Sequence, residues 1–381
     1  MKTNLKRLRY GPGFQKAEHR PPWKALATLD DHLAAERKLP SWRRRSKLLR
    51  IGDESRESRT LPTWLPESVQ MAFATAGEIT APAPSVLVLP GARTAGLYGA
   101  IISAENYLLS SVSFNWRHQH PAHEFLEVER LSPAKWRPGL VAVVAGQSGS
   151  YYHWLFELLP RLEMVRRAGY EFADFDQVII NRPKFAPQAD TLDLVGLPAG
   201  KRMFSQRALH LGAKLMVVPT FPRNTRYGVP SWVHRYLREK FLPLVKPASG
   251  SRRIYLSRRK VGVRGLLNEE ALLQGLAEKG FEMLFLEEMA FLDQVAAFAQ
   301  AEMVIGMHGA GLANLVFCPP GTRVLEILSR ARLRPHYWLI SDVVGLRYHC
   351  LIGEVAGSEE DPPVRVDVEH FWRALDRLIS G

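Results

Sequence analysis

Residues 301–317 read Ala-Glu-Met-Val-Ile-Gly-Met-His-Gly-Ala-Gly-Leu-Ala-Asn-Leu-Val-Phe, and this stretch decides the fold. Met303-Val304-Ile305 is a short apolar run of the kind that forms a buried strand. A glycine-rich turn follows, and Leu312–Phe317 predicts a short helix. A strand entering a helix through such a turn points to an α/β fold with parallel strands and right-handed crossovers. Ligands of such sheets sit beyond the carboxyl ends of the strands. The glycines allow close backbone approach, and the N–H groups at the helix start attract an anion such as a phosphate. No Gly-Lys-Ser/Thr follows, so this is not a P-loop, and the full dinucleotide-binding spacing is also missing. Taken alone, the turn fits a plain tight connection equally well. His308 adds a hydrogen-bond donor for a diphosphate at the strand end.

Working outward, Ile254–Leu256 predicts a strand whose carboxyl end carries Ser257-Arg258-Arg259-Lys260. Planar guanidinium groups suit phosphate oxygens, although a solvated basic turn is the plainer reading of the same residues. Asn268 is expected to cap a helix with Glu269 and Glu270 in its first turn and Gly280 at its end. Met283–Leu286 and Val324–Leu328 predict further strands, Phe291–Ala301 a helix, and Glu369–Ser380 a closing helix. Two anion-friendly loops on one sheet edge together suggest a nucleotide-diphosphate ligand. Glu326 lies inside an apolar strand, where an unpartnered carboxylate costs several kcal/mol. It is expected either to accept ribose hydroxyls or to pair with a neighbouring arginine.

Upstream, Val86–Leu89, Leu140–Val144, Val178–Ile180 and Leu215–Val218 predict strands, and a helix starts near Tyr151. Its His153, Glu157 and Arg161 recur every four residues and are expected on one helical face. Glu157 would orient the His153 imidazole and raise its basicity, giving a general base near neutral pH. An aromatic helix face with a satisfied histidine is the structural alternative. Residues 220–230 form a Pro/Gly break before a helix at Trp232–Leu242, and Pro243–Gly250 reads as a linker. The expected organisation is an N-terminal extension over 1–80, one domain over 81–245, a second over 246–365, and a closing helix over 366–381.

Hydrophobic residues make up 46% of the 381 and charged residues 23%, which excludes general disorder. The net charge of +13 is concentrated at the start, where residues 1–50 hold fourteen Lys/Arg against four Asp/Glu. Lys6-Arg7-Arg9 and Arg43-Arg44-Arg45-Lys47, with Trp23, Trp42 and Trp64 nearby, read first as a solvated or flexible basic arm. The sharper reading is peripheral contact with an anionic membrane, worth about 1 kcal/mol per cation near the surface. Nucleic acid ranks last, because no nucleic-acid-binding module signature is present. Cys318 and Cys350 cannot build a disulfide framework or a cysteine-rich zinc site. The opening residues lack a secretory apolar core and no apolar run reaches ~20 residues, so a soluble cytoplasmic protein is expected.

As a set, these motifs resemble glycosyltransferase family 61. The resemblance rests on Tyr152-His153-Trp154, Glu157 and Pro160-Arg161, then Ser257–Arg259, then Asn268-Glu269. It continues through Ala301–Gly306, His308–Asn314, Pro319–Thr322 and Glu326, covering roughly residues 140–330. It implies the GT-B arrangement of two Rossmann-like domains facing a cleft. It also implies inverting, metal-independent transfer from a nucleotide-diphosphate sugar, most readily a UDP-sugar, with no further cofactor. Ser257, Arg258, Arg259, His308, Gly309, Ala310, Gly311 and Asn314 would then hold the donor diphosphate, Glu326 the ribose, and His153 with Glu157 the acceptor. Without a leader or anchor, the chain looks most like bacterial members that build capsular or surface polysaccharide on glycan or lipid-linked glycan acceptors. A nucleotide- or glycan-binding protein of the same fold without turnover is the alternative.

Overall fold

The computed structural model describes residues 20–39, 46–115, 123–147, 149–223, 227–246, 251–261, 265–357 and 362–380. The clusters Lys6-Arg7-Arg9 and Arg43-Arg44-Arg45, Trp42, and the second half of the expected linker lie outside these residues. The chain forms a mixed α/β structure with two large sheets.

The second half carries a six-stranded sheet. Its strand order is Phe281–Leu284, Arg252–Leu256, Ala301–Met307, Arg323–Ser329, Arg347–Val355, Val364–Arg365. The first five are mutually parallel, and the last runs antiparallel. Side chains alternate across this sheet, as a period of two requires. Ile254, Val304, Val324 and Leu328 face one layer of helices. Tyr255, Ile305, Leu325 and Leu351 face the helices Glu270–Glu278 and Val368–Ser380. Burial on both faces explains why these strands read as continuous apolar runs. Gly280, at φ +78, turns the chain after its helix at an angle that other residues resist. Asn268 does not cap that helix. Its amide donates to the Val366 carbonyl at 2.8 Å and accepts from the Val366 N–H at 3.2 Å, tying the helix start to the edge strand.

The ten-stranded sheet of the first half is mixed rather than parallel throughout. Arg202–Phe204, Gln177–Ile180, Lys135–Val143 and His210–Pro219 are parallel. His210–Pro219 then pairs antiparallel with Ser85–Pro90 and Arg93–Ala95, and a meander of short strands continues to Tyr107–Leu109. Residues 20–80 are not a detached arm where they are described. Lys24–Leu26 adds to Tyr107–Leu109, and Lys47–Arg50 pairs with Ser85–Pro90. Further along, the Trp338 indole donates to the Thr60 carbonyl at 3.1 Å, and Phe73 stacks on Trp338 at 5.1 Å.

One apolar core joins the two sheets, running from Val86, Ala142 and Val217 to Ile254 and Val304. The carboxyl ends of Lys135–Val143 and of the second sheet's strands therefore lead towards a shared junction. No described helix is long and apolar enough to cross a membrane.

Candidate active site

The helix at Tyr151 is built in three joined pieces, Tyr151–His153, a π turn at Trp154–Leu158, and Leu159–Arg167. Single π turns inside helices recur at functional sites. His153 and Glu157 meet as expected, with the His153 Nδ1 2.7 Å from Glu157 Oε1. Arg161 does not join them. It is 1% exposed and donates to the carbonyls of Val144, Ala145 and Pro219 at 2.7, 3.0 and 3.0 Å. Its guanidinium also lies 4.4 Å from the Phe221 ring. Burial pulls the Arg161 pKa down to about 9, with the nearby Glu157 opposing the fall. Arg161 thus fastens together the carboxyl ends of two parallel strands, a positioning role.

The cation beside Glu157 is Arg223, in the loop that the sequence marks only as a Pro/Gly break. Its Nε and Nη2 donate to Glu157 Oε1 at 2.9 and 2.7 Å. Burial works against the Glu157 charge, but Arg223 and then His153 outweigh it and hold the carboxyl at about 2. With Nδ1 donating to this fixed carboxylate, the lone pair of the neutral His153 ring resides on Nε2.

The second sheet carries another imidazole–carboxylate pair. Register places Leu256, at the carboxyl end of its strand, beside Gly306 and Glu326, the last of these in the middle of Arg323–Ser329. The His308 Nδ1 donates to Glu326 Oε1 at 2.5 Å, and the Tyr348 hydroxyl donates to Glu326 Oε2 at 2.5 Å. Glu326 is 0% exposed and both its oxygens are engaged, so it orients His308 rather than presenting a carboxylate to a ribose. Burial, with Glu326 adding to it, keeps the Tyr348 phenol protonated far above its ordinary range. The two loops expected to cooperate do meet. A Cβ added at Gly309 would overlap the Arg258 Nη1, so this glycine gives the guanidinium its place. At Gly311 a Cβ would come within 2.8 Å of Leu286, another close approach. Ala310 begins a 3₁₀ segment to Phe317 where an α-helix start was expected.

Three residues assigned from sequence to the donor sit differently. Arg259 turns away from the junction and pairs with Glu269 and Glu270. Ser257 is buried, and its hydroxyl accepts from the Arg259 N–H at 3.3 Å. Asn314 is fully buried, accepting from the Tyr151 hydroxyl at 2.8 Å and donating to Gln294 Oε1 at 2.8 Å. It fastens the His153 helix to the second half of the chain.

Close to both imidazole–carboxylate pairs is His336, the first residue of the helix His336–Val344. Its ring centroid is 4.9 Å from Tyr152, 5.2 Å from Tyr227 and 6.2 Å from His308. Burial pushes the His336 pKa well below its usual value, and the neighbouring His308, His153, Arg223 and Arg334 add to the fall. Arg223, Tyr348 and His336 carried no sequence signal beyond their residue types. Among the described residues, no group of three or more His, Cys, Asp or Glu could hold a metal ion.

Comparison with known proteins converges on this region. Residues 151–325 match the family model described as Glycosyltransferase 61. The chain is 31% identical over 166 residues to a beta-1,2-xylosyltransferase of Arabidopsis thaliana, covering 37% of this chain and 30% of that protein. It is 33% identical over 107 residues to the EGF domain-specific O-linked N-acetylglucosamine transferase of Rattus norvegicus, covering 24% and 20%. The chain thus spans less than a third of the length of either relative. Among solved structures, the iron-containing dodecameric glycosyltransferase TibC of enterotoxigenic E. coli is 13% identical. That match covers 64% of this chain and 75% of TibC at a TM-score of 0.25, too slight a likeness to argue from. The segment matched by the family model begins at the helix bearing His153 and ends one residue before Glu326, so over residues 151–325 this chain is similar to glycosyltransferase family 61.

Proposed function

We propose that the junction between the two sheets is the active site of an inverting glycosyltransferase that uses a nucleotide-diphosphate sugar. The observation carrying this reading is the neighbourhood of His153–Glu157 and His308–Glu326, linked by His336, whose ring packs on Tyr152 and lies 6.2 Å from His308, with Arg258 packed on Gly309 beside the second pair. One pair supplies a base, and the other, with Arg258, supplies positive charge and donors for a leaving group.

In this reading the donor diphosphate lies against Arg258, the His308 Nε2 and the backbone N–H groups of Gly309 to Gly311. The acceptor hydroxyl lies against His153 Nε2. Its oxygen forms a bond to the anomeric carbon as the bond from that carbon to the diphosphate oxygen breaks. The proton passes to His153 Nε2, and the configuration inverts. Arg258 and His308 take up the charge developing on the departing diphosphate without an obligatory metal. Fixed donors aimed at developing charge are the largest expected contribution to rate. Glu157 and Glu326 hold the two imidazoles in their tautomers, while Asn314 and Arg161 hold the framework.

The proposed arrangement is GT-B, with the two sheets as its halves and the second half starting near residue 246. The xylosyl- and N-acetylglucosaminyltransferase relatives make UDP-xylose and UDP-N-acetylglucosamine the first donors to try. The proposed acceptor is a glycan or lipid-linked glycan of a surface polysaccharide, met on the cytoplasmic side with the basic residues 1–50 against an anionic membrane. The test is release of UDP from these donors, with and without EDTA, by wild type and His153→Ala. Wild type should turn over the preferred donor with EDTA present, and His153→Ala should lose about 10²–10⁴-fold in rate while still binding UDP. Wild type that binds UDP but never turns over would leave a binding protein of the same fold.

A further inference from the structure

We propose that His336 contacts the transferred sugar and selects it through a hydroxyl hydrogen bond. The inference rests on the transferase reading and deepens it. In that reading the anomeric carbon must lie between the leaving diphosphate at His308 and the base at His153. His336 adjoins both sides, with its ring 6.2 Å from that of His308 and packed edge-on against Tyr152, the residue preceding His153.

Its setting suits a neutral hydroxyl rather than a phosphate. Tyr152, Tyr227 and Tyr337 surround the ring at centroid distances of 4.9, 5.2 and 6.3 Å. Burial and the neighbouring cations Arg223 and Arg334 keep the imidazole uncharged at neutral pH. A neutral imidazole offers one N–H donor and one lone pair, and a sugar hydroxyl also donates and accepts. The diphosphate's charge is met on the other side, at Arg258. Aromatic faces around one polar group also match a sugar, which presents C–H faces between its hydroxyls. Sites built to hydrogen-bond a substrate hydroxyl reject analogues lacking it, because a buried polar group would be left unpaired.

The experiment compares wild type, His336→Phe and His336→Gln. Phenylalanine preserves the ring packing and removes both nitrogens, whereas glutamine restores a donor and an acceptor. Calorimetry measures the affinity of UDP alone, and steady-state kinetics with UDP-xylose and UDP-N-acetylglucosamine gives donor preference as a ratio of kcat/KM. His336→Phe should bind UDP within about twofold of wild type and lose at least tenfold in kcat/KM for the preferred donor, with its preference between the two sugars collapsing. His336→Gln should recover part of both. An unchanged sugar preference in His336→Phe overturns the inference while leaving the transferase reading intact. So does an equal loss of UDP and UDP-sugar affinity. Wild type that binds neither UDP nor either sugar donor fails the underlying reading, and the inference with it.

Discussion

Arg223 and Glu157 form a buried ion pair that sets the state of the proposed base, and its strength follows from the structure. The Glu157 pKa falls from the model-compound value of 4.5 to about 2 although burial alone raises it. That fall corresponds to about 3 kcal/mol, at 1.36 kcal/mol per unit, so the stabilising partners supply more than this. Removing one member of a buried pair typically costs about 3–5 kcal/mol, because the other charge remains in a poor solvent. Arg223→Met and Glu157→Gln should each therefore lose about 3–5 kcal/mol in urea unfolding at pH 7. The double variant leaves neither charge stranded, so its loss should fall short of the sum by at least about 2 kcal/mol. The pH dependence has a definite sign. A carboxyl whose folded pKa lies below 4.5 contributes stability above pH 4.5, and this contribution fades as pH falls towards 2. The gap between wild type and Arg223→Met should accordingly be widest above pH 5 and narrow below pH 4. Losses that add within about 0.5 kcal/mol, or a gap independent of pH, would refute the argument.

Other consequences separate binding from folding. Gly309 has φ −176, an angle open to any residue, so Gly309→Ala should melt near wild type; its Cβ displaces Arg258, so UDP affinity should fall about tenfold or more by calorimetry. Arg161→Met strands three carbonyls and should cost at least about 3 kcal/mol in chemical denaturation, since each buried unsatisfied group costs ~1–3 kcal/mol. Tyr348→Phe removes one of the two donors to Glu326 and should lower kcat more than it raises KM, as expected if Glu326 orients the group that receives the leaving diphosphate.

Much of the second half was legible because its physics is local. Strands buried on both faces must be apolar runs, and Met303-Val304-Ile305 and Val324–Leu328 both proved to be strands, the first extending two residues further at each end and the second one. The placement of Ser257 and His308 directly after their strands followed from the same runs, whereas Glu326 sits in the middle of its strand. What escaped depends on contacts distant in sequence. Arg223 reaches Glu157 from 66 residues away, and nothing in a Pro/Gly loop marks it as a partner. Lys24–Leu26 becomes a strand only because Tyr107–Leu109 offers it an edge. The expected single face of His153, Glu157 and Arg161 assumed a regular helix, and the π turn breaks that period. Asn268 and Arg259 have the right residue types for a cap and a phosphate contact, but nearer partners, the Val366 backbone and the carboxylates of Glu269 and Glu270, take them instead.

The most direct test of the central claim is a thermal-shift titration with UDP, performed on wild type, Arg258→Ala and His308→Ala. A ligand bound only by the folded state adds about 2.7 kcal/mol at a hundredfold excess over its dissociation constant. Over 381 residues, at ~2.1 cal/mol/K of unfolding entropy each, this corresponds to a rise of roughly 3 °C. The account predicts that rise for wild type and little or none for the two variants, with all three proteins folded in the absence of ligand. Equal rises in all three, or none in wild type at millimolar UDP, would contradict it.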